Sequence, residues 1–157
     1  MGNLLDDDAL RVSVALRPDA KICRQHHCQC DSVVLSDGRH ELGYKFSAGR
    51  RSRYDTINDL LRRALVSARV PATVEPRGMV KEDNKRPDGK TLIPWHQGRS
   101  LAWDVTCVDT FTESHICQTS VAASAAANKA ERLKREKYFS LGPNYHFVPF
   151  GVETLGS

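Results

Sequence analysis

At 157 residues the chain is long enough for one well-cored domain or slightly more. Its 40% hydrophobic against 27% charged residues exclude a disordered chain, and no apolar run is long enough to span a bilayer. Lys+Arg of 23 against Asp+Glu of 19 leave a net charge of +4, a mild excess that permits nucleic acid as a partner without requiring it. The five cysteines are odd in number and lack a secretory signal, so the expected location is intracellular, with reduced thiols.

The first predicted element is a short helix through Ala9–Arg17, with acids in front, Asp8 as a cap and Pro18-Asp19 as its stop. Next come Cys23, His26, His27, Cys28, Cys30 and His40, a thiol and imidazole group compatible either with zinc or with free thiols in a loop. Arg50, Arg51 and Arg53 then lead into a helix predicted from Asp55, with Ile57, Leu60, Leu61, Ala64 and Leu65 on its buried face. With Arg62 and Arg63 these arginines present cations either to phosphates or to solvent. Ala72–Glu75 reads as a short strand and Gly78–Lys85 as a polar loop.

A hairpin follows, with a first strand through Thr91-Leu92-Ile93, a turn at Gln97-Gly98 and a second strand from Ser100 to Val108. Alternation places Leu101, Trp103, Val105 and Cys107 on one face and Asp104 and Thr106 on the other. Asp88 and Asp104 lie sixteen positions apart, so the hairpin is expected to bring their carboxylates together. Two close carboxylates repel unless a proton or cation lies between them, and hard divalent ions prefer oxygen ligands. Ser120–Leu141 is predicted as one long helix presenting Lys134 and Lys137 about 60° apart, with Ala127, Ala130 and Leu133 available for burial. Tyr145–Val152 reads as a final edge strand, because Pro149 has no donor for a ladder.

The Pro87-Asp88, Asp104 and following lysine-bearing helix resemble the PD-(D/E)XK nuclease pattern. Lys85-Arg86-Pro87-Asp88-Gly89, Trp103-Asp104-Val105-Thr106 and Lys134-Arg135-Glu136-Lys137-Tyr138 look like the restriction-like endonuclease region of site-specific non-LTR retrotransposons. In that group the catalytic lysine has moved to the helix, which matches Thr106 standing where a strand lysine would be. Nearly the whole chain also resembles reverse-transcriptase-associated proteins present in many copies in animal genomes. The shared stretches include Cys28-Gln29-Cys30, Ile57-Asn58-Asp59, Val70-Pro71-Ala72-Thr73-Val74-Glu75-Pro76 and Val152-Glu153-Thr154.

The resemblance implies an α/β (α+β) fold with a restriction-endonuclease-like core: a central mixed sheet flanked by helices, preceded by an N-terminal helix and a Cys/His-containing loop. Residues 1–48 would form the helix and a degenerate zinc-knuckle-like segment, and residues 49–157 the endonuclease domain. The implied function is metal-dependent DNA endonuclease activity of mobile-element origin, with a catalytically inactive nucleic-acid-binding remnant as the alternative. Asp88, Asp104, Lys134 and Lys137 would be catalytic, and Arg50, Arg51, Arg53, Arg62 and Arg86 would contact DNA. Mg²⁺ or Mn²⁺ would sit on Asp88 and Asp104, with the Val105 carbonyl and Asp59 as further ligands. The implied partners are DNA and a reverse transcriptase domain of the parent element, no membrane is expected, and the nucleus is the implied compartment. Tyr44 stands where the group has Cys and Tyr54 where it has His. The expectation is therefore that no stoichiometric zinc is bound, Cys28 and Cys30 being what remains of an ancestral site that only His40 and Cys23 could complete.

Overall fold

The computed structural model describes residues 6–16, 20–44, 46–76, 79 and 86–154. In chain order they form α1 (Asp7–Ala15), β1 (His26–His27), β2 (Val33–Val34), α2 (His40–Gly43), α3 (Ala48–Ser67), β3 (Ala72–Val74), β4 (Gly89–Thr91), β5 (Ser100–Val108), α4 (Glu113–Thr119), α5 (Ala125–Lys137), a 3₁₀ turn (Phe139–Leu141) and β6 (Tyr145–Glu153). Strands β3-β4-β5-β6 make a mixed sheet in that order, antiparallel except for the parallel β5–β6 pair, while β1 and β2 form a separate two-stranded ribbon. The architecture is a mixed α/β fold with a central sheet flanked by helices, carrying an N-terminal helix and a Cys/His segment.

The sheet is centred on β5. Leu101, Ala102, Trp103 and Val105 are all buried, as is Asp104, so both faces of the strand are covered. The Trp103 indole reaches α3 and the Asp104 carboxylate reaches α5. Neighbouring strand residues point to opposite faces, so α3 and α5 pack on opposite sides. The hairpin pairs Gly89 with Trp103, and a β-carbon at Gly89 would fall 2.0 Å from the indole ring. Glycine is therefore what lets β4 lie under Trp103.

Small residues also bring α5 onto β6. Ala126, Ala127 and Ala130 are buried, and a β-carbon at Gly151 would stand 2.6 Å from the Ala127 carbonyl oxygen. Two carboxylates finish this contact. Glu153 Oε1 accepts from the Ala126 and Ala127 amides at 3.0 and 3.2 Å, and Glu131 Oε1 accepts from the Gly151 amide at 3.0 Å. An acidic group at the first amides of a helix satisfies orphan donors and complements the dipole.

Several element boundaries differ from those expected. Helix α3 begins at Ala48, so Asp55 lies inside it rather than capping it, and Asp8 likewise lies within α1. The long helix expected from Ser120 is instead α4 and α5, separated by a bend where Ser124 takes φ +61°. The alanine-rich run set its propensity correctly, but Glu153 fixes where α5 starts. Leu133 is 54% exposed and does not join the buried face. The polar loop expected over 78–85 falls outside the described residues except for Met79, which is buried, and the stop expected at Pro18-Asp19 lies outside them too.

Candidate functional site

Asp104 is the buried charge at the centre of β5, only 3% exposed. An isolated carboxylate there would be costly, so its partners decide its state. Oδ1 accepts the Tyr138 hydroxyl at 2.8 Å, and Oδ2 faces the Lys134 ammonium in an ion pair. Tyr138 is itself buried; its hydroxyl lies 2.8 Å from the Arg86 carbonyl and receives a hydrogen bond from Lys137 Nζ at 3.2 Å. Lys134 and Lys137 thus converge on Asp104 from the last turns of α5, one directly and one through Tyr138.

Asp88 sits where the β4 ladder ends. Its backbone carbonyl accepts from the Glu75 amide at 2.7 Å, and its Oδ2 accepts from the Val105 amide at 2.7 Å. Burial pushes its carboxyl above the usual range, and the nearby Asp104 charge adds to that rise. The Val105 amide, the Asn58 side chain and Lys134 act in the opposite direction. Asp88 opens into a cleft of about 410 Å³ lined also by Arg51, Tyr54, Asn58, Arg62 and Glu75.

The predicted arginines are mostly engaged within the protein. Arg62 and Arg63 both pair with Asp59, at 2.8 and 3.0 Å, and the Arg62 hydrogen bond holds the Asp59 carboxyl below its ordinary value. Asp59 is therefore an arginine partner rather than a metal ligand. Arg86 pairs with Glu75 at 3.2 Å, and Arg53 donates to the Leu42 carbonyl at 3.1 Å. Arg51 lines the cleft, while the Arg50 side chain lies outside the described ones.

A second cluster lies in the ribbon and the turn before α2. One ligand atom each from Cys28, Cys30 and His40 lie within 4.8 Å of one another. Cys30 Sγ is 3.4 Å from His40 Nε2. The Ser32 hydroxyl and amide, with smaller help from Cys28 and His40, pull the Cys30 thiol down to about 7. Thiolate and imidazole donors are the set zinc prefers.

This cluster overturns the expected cofactor. Mg²⁺ or Mn²⁺ was expected on Asp88, Asp104, Val105 and Asp59, with zinc discounted. Yet no third Asp, Glu, His or Cys joins Asp88 and Asp104 in a metal-holding group among the described residues. Asp104 is closed under α5 by Lys134 and Tyr138, Val105 offers Asp88 its amide, and Asp59 is held by two arginines. The metal-suited group of this chain is the zinc-type Cys28/Cys30/His40 cluster.

The loss inferred from the two tyrosines is corrected with it. Tyr54 belongs to α3, where its hydroxyl donates to the Cys107 carbonyl at 3.4 Å. Tyr44 does stand beside the cluster, its ring stacked on His40 at 5.3 Å. Burial and the charges of Cys28, Cys30 and Glu41 push its phenol upward, which keeps it neutral beside three intact ligands. Asn58, which meets Trp103, was given no role by sequence, and Tyr138, expected to pack beneath the lysines, adds a hydroxyl bonded to Asp104.

The chain matches no protein-family model and no curated protein. No helix among the described residues is long and apolar enough to cross a membrane.

Proposed function

We propose that this chain is a DNA endonuclease domain of the restriction-endonuclease-like type, derived from a mobile element, that cleaves phosphodiester bonds at Asp88, Asp104 and Lys134. The observation that carries the reading is the buried Asp104, paired with a lysine from α5 and one strand away from a second carboxylate facing a cleft. The element order, with α3 before the hairpin and α5 before a parallel β6, agrees with the core implied by the sequence motifs.

In this reading Asp88 takes the proton of the attacking water, a role suited to a carboxyl raised by its surroundings. The new bond joins the water oxygen to phosphorus, and the bond to the leaving oxygen breaks, that oxygen keeping the electron pair and taking a proton from solvent to leave as an alcohol. Lys134, aimed by Asp104, offsets charge developing on the phosphoryl oxygens. Arg51 is the cleft cation placed to meet a neighbouring phosphate.

The test is nicking of supercoiled plasmid by the purified protein, as isolated, with chelator, and with single divalent cations restored. Lys134→Ala should reduce cleavage by more than about tenfold, about 1.4 kcal/mol of transition-state stabilisation, while Lys129→Ala should not. Equal cleavage by both variants sinks the assigned role of Lys134. A second reading, a nucleic-acid-binding module without catalysis, draws on Arg51 lining the cleft while Asp104 is closed off by Lys134 and Tyr138. Salt-sensitive DNA binding with no cleavage under any condition would favour it.

A further inference from the structure

We infer that Asn58 and Trp103 form a positioning pair that holds a side-chain amide donor against Asp88. Three observations meet at this point. Trp103 is fully buried, and its Nε1–H donates to Asn58 Oδ1 at 3.0 Å. Indole nitrogen is a donor only, so the Asn58 oxygen must face it. The NH₂ edge of Asn58 is thereby committed to its other side, and Asn58 and Asp88 line the same cleft. Gly89, next to Asp88, is the position whose missing β-carbon leaves room for the indole ring.

The motifs around Asn58, Asp88-Gly89 and Trp103-Asp104 thus meet in one assembly. Trp103 fixes which way the Asn58 amide points, and Asn58 supports the ionised form of Asp88. Without the indole donor the amide is free to turn its oxygen toward the carboxylate, where two acceptors would repel. Asn58 acts through Asp88 and is a positioning residue. Its effect on catalysis rests on the nuclease reading above; its place beside Asp88 in the cleft does not.

Asn58→Asp separates the two contacts, because it keeps an acceptor for the indole and replaces the donor edge with a second carboxylate oxygen. Urea denaturation at neutral pH is compared in the wild-type and Asp88→Asn backgrounds, a double-mutant cycle. Besides the two carboxylates, the charged groups around this spot are Asp104 and Lys134, which act on Asp88, and Arg51, Asp55, Asp59, Arg62 and Glu75, which line the same cleft. The expected result is a lower urea midpoint for Asn58→Asp alone and little or no loss when Asp88 is already Asn. If Asn58→Asp fails to fold alone but folds beside Asp88→Asn, the inference is equally supported. The same loss in both backgrounds, or failure to fold in both, overturns it. Where wild type cleaves DNA, Asn58→Asp should lower kcat more than about tenfold with KM little changed. Wild type that cleaves nothing defeats the nuclease reading and leaves the urea cycle to decide this one.

Discussion

Asp88 is in tension with its surroundings. Its folded-state pKa is raised, so between the unfolded and folded values the native state holds more protons than the unfolded chain. Its contribution to stability is therefore present below the ordinary carboxylate value and is lost as pH rises through the folded one. Asp88→Asn keeps an oxygen for the Val105 amide and has no charge to bury. Its urea midpoint relative to wild type should climb as pH rises from the ordinary carboxylate value, about 4, toward neutrality; a difference that stays flat contradicts the assigned burial of Asp88. Cys30 offers the complementary case, a thiol already lowered to about 7 and within reach of two further ligands. Elemental analysis should find about one zinc per chain, and Cys30→Ser should release it. Protein isolated without zinc that also binds none on titration would show the cluster to be three idle side chains.

The turn and second strand of the hairpin were the most legible in the sequence, whereas the first strand, expected over Thr91-Leu92-Ile93, is β4 at Gly89–Thr91 and leaves Leu92 and Ile93 exposed outside it. The turn at Gln97-Gly98 takes positive φ at both residues, and β5 occupies the nine residues expected of it. Alternation correctly separated Trp103 from Asp104, and the edge position of β6 followed from Pro149. Less legible were the helix starts, because they depend on groups distant in sequence. Glu153 supplies the acceptor at the first turn of α5, 27 residues beyond Ala126. The zinc-type cluster was misjudged for a related reason: counting Tyr54 as a lost ligand assumed a proximity that α3 does not allow. Packing at the element scale makes its own prediction. Gly151→Ala forces a methyl against the Ala127 carbonyl, and Gly89→Ala forces one into the Trp103 ring. Each should cost about 1–3 kcal/mol or more in urea denaturation; wild-type stability in both would mean that α5 and β4 sit farther from their neighbours.

At the scale of the molecule, one strand serves both faces of the sheet. Through Trp103 it orders Asn58 on α3, and through Asp104 it gathers Lys134 and Tyr138 on α5. Asp88, at the end of β4, is reached from both sides: Val105 and Asn58 favour its charge, and Asp104 opposes it. The motifs around Asn58, Asp88-Gly89, Trp103-Asp104 and Lys134 to Tyr138 thus converge on a small region, although their assignment to a hard-ion centre did not survive the geometry. The activity proposed for this region is DNA cleavage. Plasmid nicking by wild type, Lys134→Ala and Lys129→Ala tests it most directly. Wild type and Lys129→Ala should cleave, with a more than about tenfold loss in Lys134→Ala; an inactive wild type across every cation tried, or three equal rates, would show that this region is not a nuclease site.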